Sequence, residues 1–547
     1  MRPYLRNLFA SLVLCLVLPS PALPAGDDVA ARKSRQGKLS SELARIAESA
    51  ERGERVKSAS RAYDAKTDRV TAVAEVARGG SAQAVAEAVK AAGGRVDGIA
   101  GNLVKFTIAP TALRDIAARR DVQVVREPFR PTPYKAAAGK HSSEVISQGV
   151  AVMHADAYRS RTGADGSGVR VAVLDGGFGG APSLVNTELP GDTELTPSAE
   201  QNLGGDAGIH GTACAEIVHD VAPGARMILA SFEDEVEWAT KVDDLLNNFR
   251  PNVISHSIGF DNLFPPDGNN MFARKVDEVA ARGVLFVTAA GNEGDKYFQG
   301  PWADADGNDF LDFDGSIQLL PFFAAASGTS VVLRWDDPFG SSSHDYDVYA
   351  VTREFRDNPA LSSDNPAIIA ASEDDQLSTR TPRERMFVKS DSDQILYLVV
   401  HRDARTPANA AQRFYLWASN GIDPSLANGS GTLSMPGDSR GAVTVGAVAF
   451  DSQQVEGYSS RGPTSDGRAK PDVAGPDKVS TATYGGEFPG TSAATPHVAG
   501  AAALILSKNA SMNAAALRQA LERASTSGGS GKNNDTGFGL IDLNKAP

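Results

Sequence analysis

Short apolar strands that alternate with amphipathic helices constrain the fold of this chain more than any other feature of its sequence. The run Val169–Leu174 is almost continuously apolar, as expected for a strand that is buried on both faces of a sheet. Further strands are predicted at Met227–Ser231, Val253–Ser257, Val284–Thr288 and Ala442–Val448. Repeated strand–helix units indicate an α/β fold with a parallel sheet and helices on both faces, in which active sites lie at the carboxyl ends of the strands.

This alternation is interrupted by a long segment of a different character. It stops near Gly300 and resumes near Gly441, and the residues between carry short β-like runs separated by stretches rich in Asp, Ser, Pro and Asn. The runs are Ser330–Trp335, Tyr346–Val351, Ile395–His401 and Phe414–Trp417. Such spacing is typical of an antiparallel sandwich. We therefore predict an inserted all-β sandwich over residues 300–430, which divides the α/β domain into residues 151–299 and 431–547.

A second, smaller domain is predicted over residues 69–128. Its patterns follow the order β-α-β-β-α-β, with Ser81 as the cap of the first helix and Pro110 at the start of the second. This order is the split βαβ arrangement, an α+β fold that by itself says nothing about function. Residues 129–150 contain Pro131, Pro133 and Gly139 and are predicted to be an exposed linker, where proteolysis concentrates.

The N-terminus has the pattern of a secretory signal. Arg2 and Arg6 precede the apolar run Leu8–Leu18, and small residues follow near a cleavage point. The run is shorter than the roughly 20 residues that span a bilayer. We predict a signal peptide over residues 1–25 and a secreted protein, extracellular or periplasmic; the alternative is a buried N-terminal helix. Residues 26–68 are interpreted as a helical leader, a solvated linker without chemistry.

Composition excludes several classes of protein. The chain of 547 residues carries 54 Lys and Arg against 67 Asp and Glu, a net charge of −13. Binding to nucleic acid or to an anionic membrane is driven by cationic surface, so neither is expected, and no membrane span is predicted. Of the two cysteines, Cys15 falls within the predicted signal peptide and Cys214 remains alone. The exported chain therefore has no internal disulfide.

Four polar residues stand where strands should end or helices should begin. Asp175 and Asn292 follow predicted strands, whereas His210 and Ser492 begin predicted helices. A serine nucleophile needs a base to remove its proton, an acid to orient that base and donors for the oxyanion. Each residue alone has an ordinary interpretation as a helix cap, a turn residue or a satisfied polar group. Their joint occurrence in these contexts favours nucleophilic catalysis.

The segments around these residues resemble those of the subtilisin-like (subtilase, S8-type) serine peptidases, in the chain order Asp, His, Asn, Ser. The serine motif is Gly490–Pro496, the histidine motif is His210–Thr212, and Asn292 ends the run Ala-Ala-Gly-Asn. Further family-like stretches are Ser257–Gly259, Tyr458–Pro463 and Lys470–Asp472. Two positions depart from the family pattern: Gly176 replaces the usual Ser or Thr, and Ala213 replaces a histidine that many members carry.

The resemblance implies a serine endopeptidase made as a zymogen, with protein or peptide substrates and no cofactor required for catalysis. It implies Asp175, His210 and Ser492 as the triad and Asn292 as the oxyanion donor. Substrate backbone would pair with Ser257, Ile258 and Gly259. Residues 69–128 would be a propeptide that inhibits the enzyme intramolecularly until the chain is cut between Glu127 and Ala151. The alternative is a catalytically weak binding protein that uses the peptidase fold as a scaffold and the insertion for recognition.

Metal and thiol chemistry are the other possibilities. A structural Ca²⁺ is possible at Asp304, Asp306, Asn308 and Asp312, although an acidic turn explains the same residues. Cys214 with His210 could form a thiol dyad, or a metal site with His219 added. Nine residues along a helix turn His219 about 180° away from His210. We therefore interpret Cys214 as a small buried residue and predict no catalytic metal.

Overall fold

The structure, a computed structural model, describes residues 26–54, 56, 60–132, 145–204, 208–407 and 412–547. The predicted signal peptide and residues 133–144 of the predicted linker lie outside them. The chain divides into two compact units, one formed by residues 1–128 with 295–428 and the other by residues 129–294 with 429–547. Within the described ranges, no helix is long and apolar enough to cross a bilayer.

A parallel sheet forms the centre of the second unit. In spatial order, its described strands are Val473–Asp477, Ala442–Ala449, Leu285–Ala289, Val253–His256, Arg170–Asp175, Arg226–Ser231 and Glu194–Leu195. Nearly all of their side chains are buried, as the apolar runs predict for strands covered on both faces. The predicted α/β fold with a parallel sheet is therefore confirmed.

Helices flank this sheet, and several begin at a side-chain cap. Asp234 accepts hydrogen bonds from the N–H groups of Val236 and Glu237, and Asn270 accepts one from Ala273. The helices are Gly149–Val152, Ala155–Thr162, Ala181–Leu184, Pro197–Gln201, His210–Val221, Glu235–Asp244, Met271–Ala281, Thr491–Lys508 and Ala514–Arg523. The helix Thr491–Lys508, here called the serine helix, packs against five strands of the sheet and against the helix that His210 begins.

The first unit contains the predicted small α+β domain. Its antiparallel sheet comprises the strands Tyr63–Asp64, Arg69–Val76, Arg95–Ala100, Leu103–Ile108 and Val122–Arg126. The helices are Ala82–Ala91, which Ser81 caps, and Leu113–Ala117, which follows a short 3₁₀ turn at Pro110. The β-α-β-β-α-β order predicted from the sequence is confirmed.

Residues 295–428 of the first unit, here called the inserted domain, form two antiparallel sheets. One comprises Tyr297–Pro301, Arg413–Ala418, Thr329–Trp335 and Arg383–Val388; the other comprises Leu320–Ala324, Gln394–Arg402, Tyr346–Val351 and Ile368–Ser372. Four of these eight strands match the predicted runs. Aromatic and aliphatic side chains from both sheets, among them Trp335, Tyr346 and Phe414, share one buried core. This is the sandwich that the sequence predicts.

The N-terminal helices correct one prediction. Residues 26–68 contain two helices, Gly26–Gln36 and Ser41–Glu51, and the interpretation of this leader as a solvated linker is wrong. Leu43 and Ile46 are buried in the same core as the strands of the small α+β domain. The second helix packs against the 3₁₀ turn at Pro110 and the helix Leu113–Ala117. The leader is therefore an integral part of the first unit.

Candidate active site

Asp175 and His210 lie side by side at the carboxyl edge of the parallel sheet. Asp175 is the last residue of its strand and His210 the first residue of its helix, and both side chains are buried. The helix can start this close to the strand because residue 211 is a glycine. A Cβ at Gly211 would lie 2.8 Å from the Cβ of Asp175 and 2.6 Å from the ring of Phe178.

The Asp175 carboxylate holds the His210 imidazole in one orientation. His210 Nδ1 is 3.0 Å from each carboxylate oxygen of Asp175, and the Gly176 N–H donates to Oδ1 of the same carboxylate. These contacts favour a proton on Nδ1, which leaves Nε2 as a proton acceptor. Nε2 is buried and has no hydrogen-bond partner among the described residues. The arrangement therefore provides an oriented general base.

Two opposing effects set the pKa of His210. Burial lowers it, but the charge of Asp175 outweighs burial and raises the pKa well above its ordinary value of 6.5. A histidine acts as a base only when it is neutral. Chemistry that depends on this base is therefore lost as the pH falls through the raised pKa.

Ser492 is the second residue of the serine helix and is buried. Its Oγ donates to the backbone oxygen of Ser257 at 2.8 Å, and its own backbone oxygen accepts a hydrogen bond from Ser257 Oγ at 3.1 Å. In this conformation the hydroxyl is not hydrogen-bonded to His210. Releasing the hydroxyl from this hydrogen bond costs roughly 1 kcal/mol.

Cys214 contacts both His210 and Ser492. Its sulfur is 4.0 Å from His210 Nδ1 and 3.6 Å from the backbone oxygen of Ser492. Burial raises the pKa of the Cys214 thiol, although His210 opposes this effect, so the sulfur is held in its neutral form. In the part of the chain that is described, Asp175, His210 and Cys214 form the one group with metal-like spacing, and His219 is not in it. A neutral thiol packed between histidine and serine fits the interpretation as a small buried residue.

Asn292 lies beside the first turn of the serine helix. Its Oδ1 accepts hydrogen bonds from the Thr491 N–H at 2.9 Å and from the Thr491 hydroxyl at 3.0 Å. With the oxygen committed to Thr491, the amide presents its nitrogen as the donor end. Gly490 adopts a positive φ of 120°, and a Cβ there would lie 2.7 Å from Asn292 Nδ2. The glycine therefore lets the amide approach the N-terminus of the helix.

The segment predicted to bind substrate backbone already has an extended partner. Thr132 pairs with Gly259 as an antiparallel bridge, and the Thr132 N–H donates to the Gly259 oxygen at 3.0 Å. This segment follows the strand that ends at His256, so it leads from the sheet to Ser492. An extended chain can therefore add to this edge by backbone hydrogen bonds, the mode of β-strand addition.

The sequence analysis did not identify Glu235, which binds the backbone of Phe129. Its carboxylate accepts the Phe129 N–H at 2.7 Å, and its own N–H donates to the Phe129 oxygen at 3.2 Å. It is buried at the first position of a helix, where a carboxylate is favoured by the helix dipole. Two acidic residues at a helix start are the only signal in the sequence, and they do not identify Phe129 as the partner.

A second missed residue is Glu216, on the same helix as His210. Its carboxylate accepts the Ala482 N–H at 2.7 Å and the Thr483 N–H at 3.2 Å. Burial raises its pKa to about 7, against the hydrogen bonds from Thr483 and Ala482. The hairpin that Glu216 holds, Val479–Thr481 with Gly486–Phe488, brings the Phe488 ring edge-on to the His210 ring at 5.5 Å. Glu216 is therefore a positioning residue for a wall of the site.

In the inserted domain, the residues expected as calcium ligands form a tight acidic turn. Asp304 accepts the N–H groups of Asn308 and Asp309, and Asp312 accepts the N–H of Ala305. The Asn308 side chain donates to Asp306 at 3.0 Å. These hydrogen bonds explain the turn, and calcium at this place stays a prediction.

Comparison with known proteins places the chain in one family. The model of the subtilase family of peptidases matches residues 166–313 and 380–539, more than half of the chain. Among curated relatives, Subtilisin amylosacchariticus of Bacillus subtilis subsp. amylosacchariticus is 42% identical over 97 residues, which is 18% of this chain and 25% of the relative. Subtilisin of Bacillus pumilus is 41% identical over 115 residues, 21% of this chain and 40% of the relative. Subtilisin Savinase of Lederbergia lenta is 36% identical over 123 residues, which is 22% of this chain and 42% of the relative.

These matches span less than half the length of each of those relatives. A solved structure, the CspB protease of Clostridium perfringens, is similar over a larger part of the chain. It aligns with a TM-score of 0.50 and 17% identity and covers 73% of this chain and 97% of the solved chain. At this identity, the similarity supports the fold alone.

Proposed function

Because this chain belongs to the subtilase family, we propose that it is a serine endopeptidase that hydrolyses peptide bonds in proteins. The observation that carries the proposal is the buried Asp175–His210 pair, which meets the first turn of the serine helix across Cys214. A base oriented by a carboxylate, beside a serine at a helix N-terminus, is the arrangement that acyl transfer requires.

In the proposed mechanism, Ser492 is the nucleophile, His210 transfers protons and Asn292 stabilises the oxyanion. Ser492 Oγ attacks the peptide carbonyl carbon while His210 Nε2 takes the hydroxyl proton, which forms a tetrahedral oxyanion. Asn292 Nδ2 and the Ser492 N–H, at the positive end of the serine helix, donate to that oxygen. His210 returns its proton to the leaving amine, and the C–N bond breaks to give an acyl-enzyme. Water, deprotonated by His210, then hydrolyses the ester and regenerates the serine.

A fluorophosphonate probe tests this assignment against the alternative of a binding protein built on a peptidase scaffold. An active serine reacts with the probe only when the folded site has activated it. We expect one label, on Ser492, in native protein and none after denaturation. Ser507, at the other end of the same helix, serves as the internal control. Absence of labelling in native protein at a pH above the His210 pKa would favour the binding protein.

Asn292 provides a sharper test of the oxyanion step. We expect Asn292→Ala to lower kcat by roughly 10²–10³ with little change in KM, because an oxyanion donor acts in the transition state. Asn292→Asp keeps the oxygen that accepts from Thr491 but loses the amide donor. If Asn292 merely held the helix, the Asp variant would retain its activity, whereas the proposed role predicts a loss at least as large as in Asn292→Ala.

We also propose that the chain is made as a zymogen and processed by its own site. The segment that leaves the α+β domain pairs through Thr132 with Gly259, the edge expected to bind substrate. This pairing supports a cut in the linker that follows, within the predicted range between Glu127 and Ala151.

N-terminal sequencing of the active protein checks this site. We expect the processed chain to begin between Pro128 and Ala151, and the Ser492→Ala precursor to stay uncut unless wild-type enzyme is added. A mature chain that still begins near Gly26 would contradict the zymogen. Three further predictions stand with the processing of the zymogen. They are secretion, a structural Ca²⁺ and inhibition by the propeptide.

A further inference from the structure

The first described helix docks one face on the inserted domain within the first unit. Val29, Arg32 and Lys33 lie at positions i, i+3 and i+4 of the helix Gly26–Gln36 and so share that face. Val29 is buried among apolar side chains of the inserted domain, including Phe355. Arg32 pairs with Glu373 through two hydrogen bonds of 2.8 and 2.6 Å. A helix face with anchors at this spacing is typical of helix-in-groove recognition.

The third anchor, Lys33, is completely buried in an acidic pocket formed by Asp345, Asp347 and Asp403. Its Nζ is 2.5 Å from Asp345 Oδ1, 2.7 Å from Asp347 Oδ1 and 3.4 Å from Asp403 Oδ2. The side chains of Lys33, Asp345 and Asp347 are 0% exposed. Three carboxylates thus meet one ammonium group more than 300 residues away in sequence.

The inserted domain arranges this acidic pocket with its own residues. Arg405 donates to Asp345 at 2.8 Å and to Asp403 at 2.9 and 3.1 Å. Thr406 accepts the Asp345 N–H and donates to the Asp345 backbone oxygen. Both carboxylate oxygens of Asp347 are buried and accept no hydrogen bond of ordinary geometry among the described residues. The Asp347 carboxylate is therefore aimed at the place that the ammonium occupies.

The charges of the pocket require a cation at that place. Arg405 compensates one of the three carboxylates, and His401, 3.5 Å from Asp347, adds charge only when protonated. Burial lowers the pKa of Lys33, but Asp347, Asp345 and Asp403 outweigh it and raise the pKa well above 10.5, so the group stays charged. An ammonium has three donors for the three carboxylates, whereas Ca²⁺ takes six to eight oxygens at 2.3–2.6 Å.

We propose that the inserted domain carries a recognition site for a lysine side chain, and that Lys33 is the ligand that this chain supplies to it. The site selects a primary ammonium group on an alkyl stem. It gives the insertion a role separate from peptide hydrolysis, and the role does not depend on the proposed peptidase activity.

Chemical rescue of Lys33→Ala in the full-length protein tests the site. The variant leaves the three carboxylates facing a cavity, and we expect the melting temperature of the first unit to fall by roughly 10 °C. Because burial raises the pKa of Asp345, melting is followed at about pH 8, where carboxylates are ionised more fully. n-Propylammonium, the missing part of the lysine side chain, should restore at least half of the loss.

Three control additives test whether the ammonium group itself restores stability. 1-Propanol has the same stem without charge, tetramethylammonium has charge without N–H donors, and CaCl₂ at equal ionic strength supplies a divalent cation. None of them should restore the melting temperature. Lys90→Ala, on an exposed position of the same unit, should be unaffected by any additive. If Lys33→Ala fails to fold, the yield of refolding with each additive is measured instead, with the same order expected.

Rescue by n-propylammonium alone, in melting or in refolding, supports the lysine site. Equal effects of propanol or tetramethylammonium, or no rescue by any additive, overturn it. Stabilisation by calcium beyond that by the amine would identify a metal pocket and would also overturn the proposal. Because the readout is stability, an inactive Ser492 would not affect the result.

Discussion

Ser492→Ala should lower peptide hydrolysis by about 10⁵–10⁶ in kcat and leave the folded structure intact. The substitution removes the nucleophile and, among the described residues, one side-chain hydrogen bond, from Ser492 Oγ to the Ser257 oxygen. A bond of this kind contributes roughly 1 kcal/mol to stability, so the variant should still fold. Cleavage of a fluorogenic peptide by purified protein gives the rate, and thermal melting checks the fold.

Ser507→Ala is the matched control for this experiment. Ser507 lies on the same helix, and its hydroxyl donates to the Leu504 oxygen away from His210. We expect full activity from the control and background activity from Ser492→Ala. Undiminished hydrolysis by Ser492→Ala would refute the assignment of the nucleophile, and loss of activity in both variants would show that damage to the helix explains the effect.

Asp175→Asn should have the second largest effect, a loss of about 10⁴ in kcat. An asparagine can donate to His210 Nδ1 instead of accepting from it, which moves the imidazole proton to Nε2 and removes the base. The exposed residue Asp156 offers a control, since Asp156→Asn changes the same charge outside the site. A fall of less than tenfold would mean that Asp175 does not orient the base.

The pH dependence gives Asp175→Asn a second readout. Burial lowers the pKa of His210, whereas Asp175 raises it, and the net pKa lies well above 6.5. Only the neutral imidazole is a base, so kcat/KM of the wild type should fall as the pH drops through this raised pKa. Removing the carboxylate charge should move that acid limb to lower pH in the residual activity of the variant. An unchanged limb would assign the titration to another group.

The resting hydrogen bond of Ser492 bears on both experiments. The hydroxyl donates to Ser257, and His210 Nε2 has no partner among the described residues. Hydrogen bonds between catalytic groups are often long or unformed before substrate binds. Substrate that pairs with residues 257–259 would compete for the Ser257 oxygen and so release the hydroxyl toward His210.

Sequence patterns predicted the framework of the site well because that framework depends on local chemistry. Val169–Leu174 is apolar apart from Arg170, which predicts a buried strand with Asp175 at its carboxyl end. Gly211 follows His210, and Gly490 stands two residues before Ser492. The structure gives a physical reason for both glycines.

Half of the strands of the inserted domain were harder to predict. Tyr297–Pro301 and Leu320–Ala324 contain proline, and Arg383–Val388 has three charged residues followed by three apolar ones, without the alternation typical of a strand. Their β-structure depends on pairing with strands far along the chain, such as Arg413–Ala418 and Gln394–Arg402. Local propensity is a weak guide where such pairing decides.

The sequence by itself determined the α/β fold, the small α+β domain, the insertion and the four polar positions at strand ends and helix starts. Only the tertiary structure decided which groups meet: Asp175 with His210, Ser492 with Ser257, and Lys33 with its three carboxylates. Lys33 shows the reason most clearly. In the sequence it looks like any solvated lysine of a polar helix, because its partners Asp345 and Asp403 lie more than 300 residues away. Burial and pairing of charge are properties of contacts between distant segments, and a sequence read in order does not contain them.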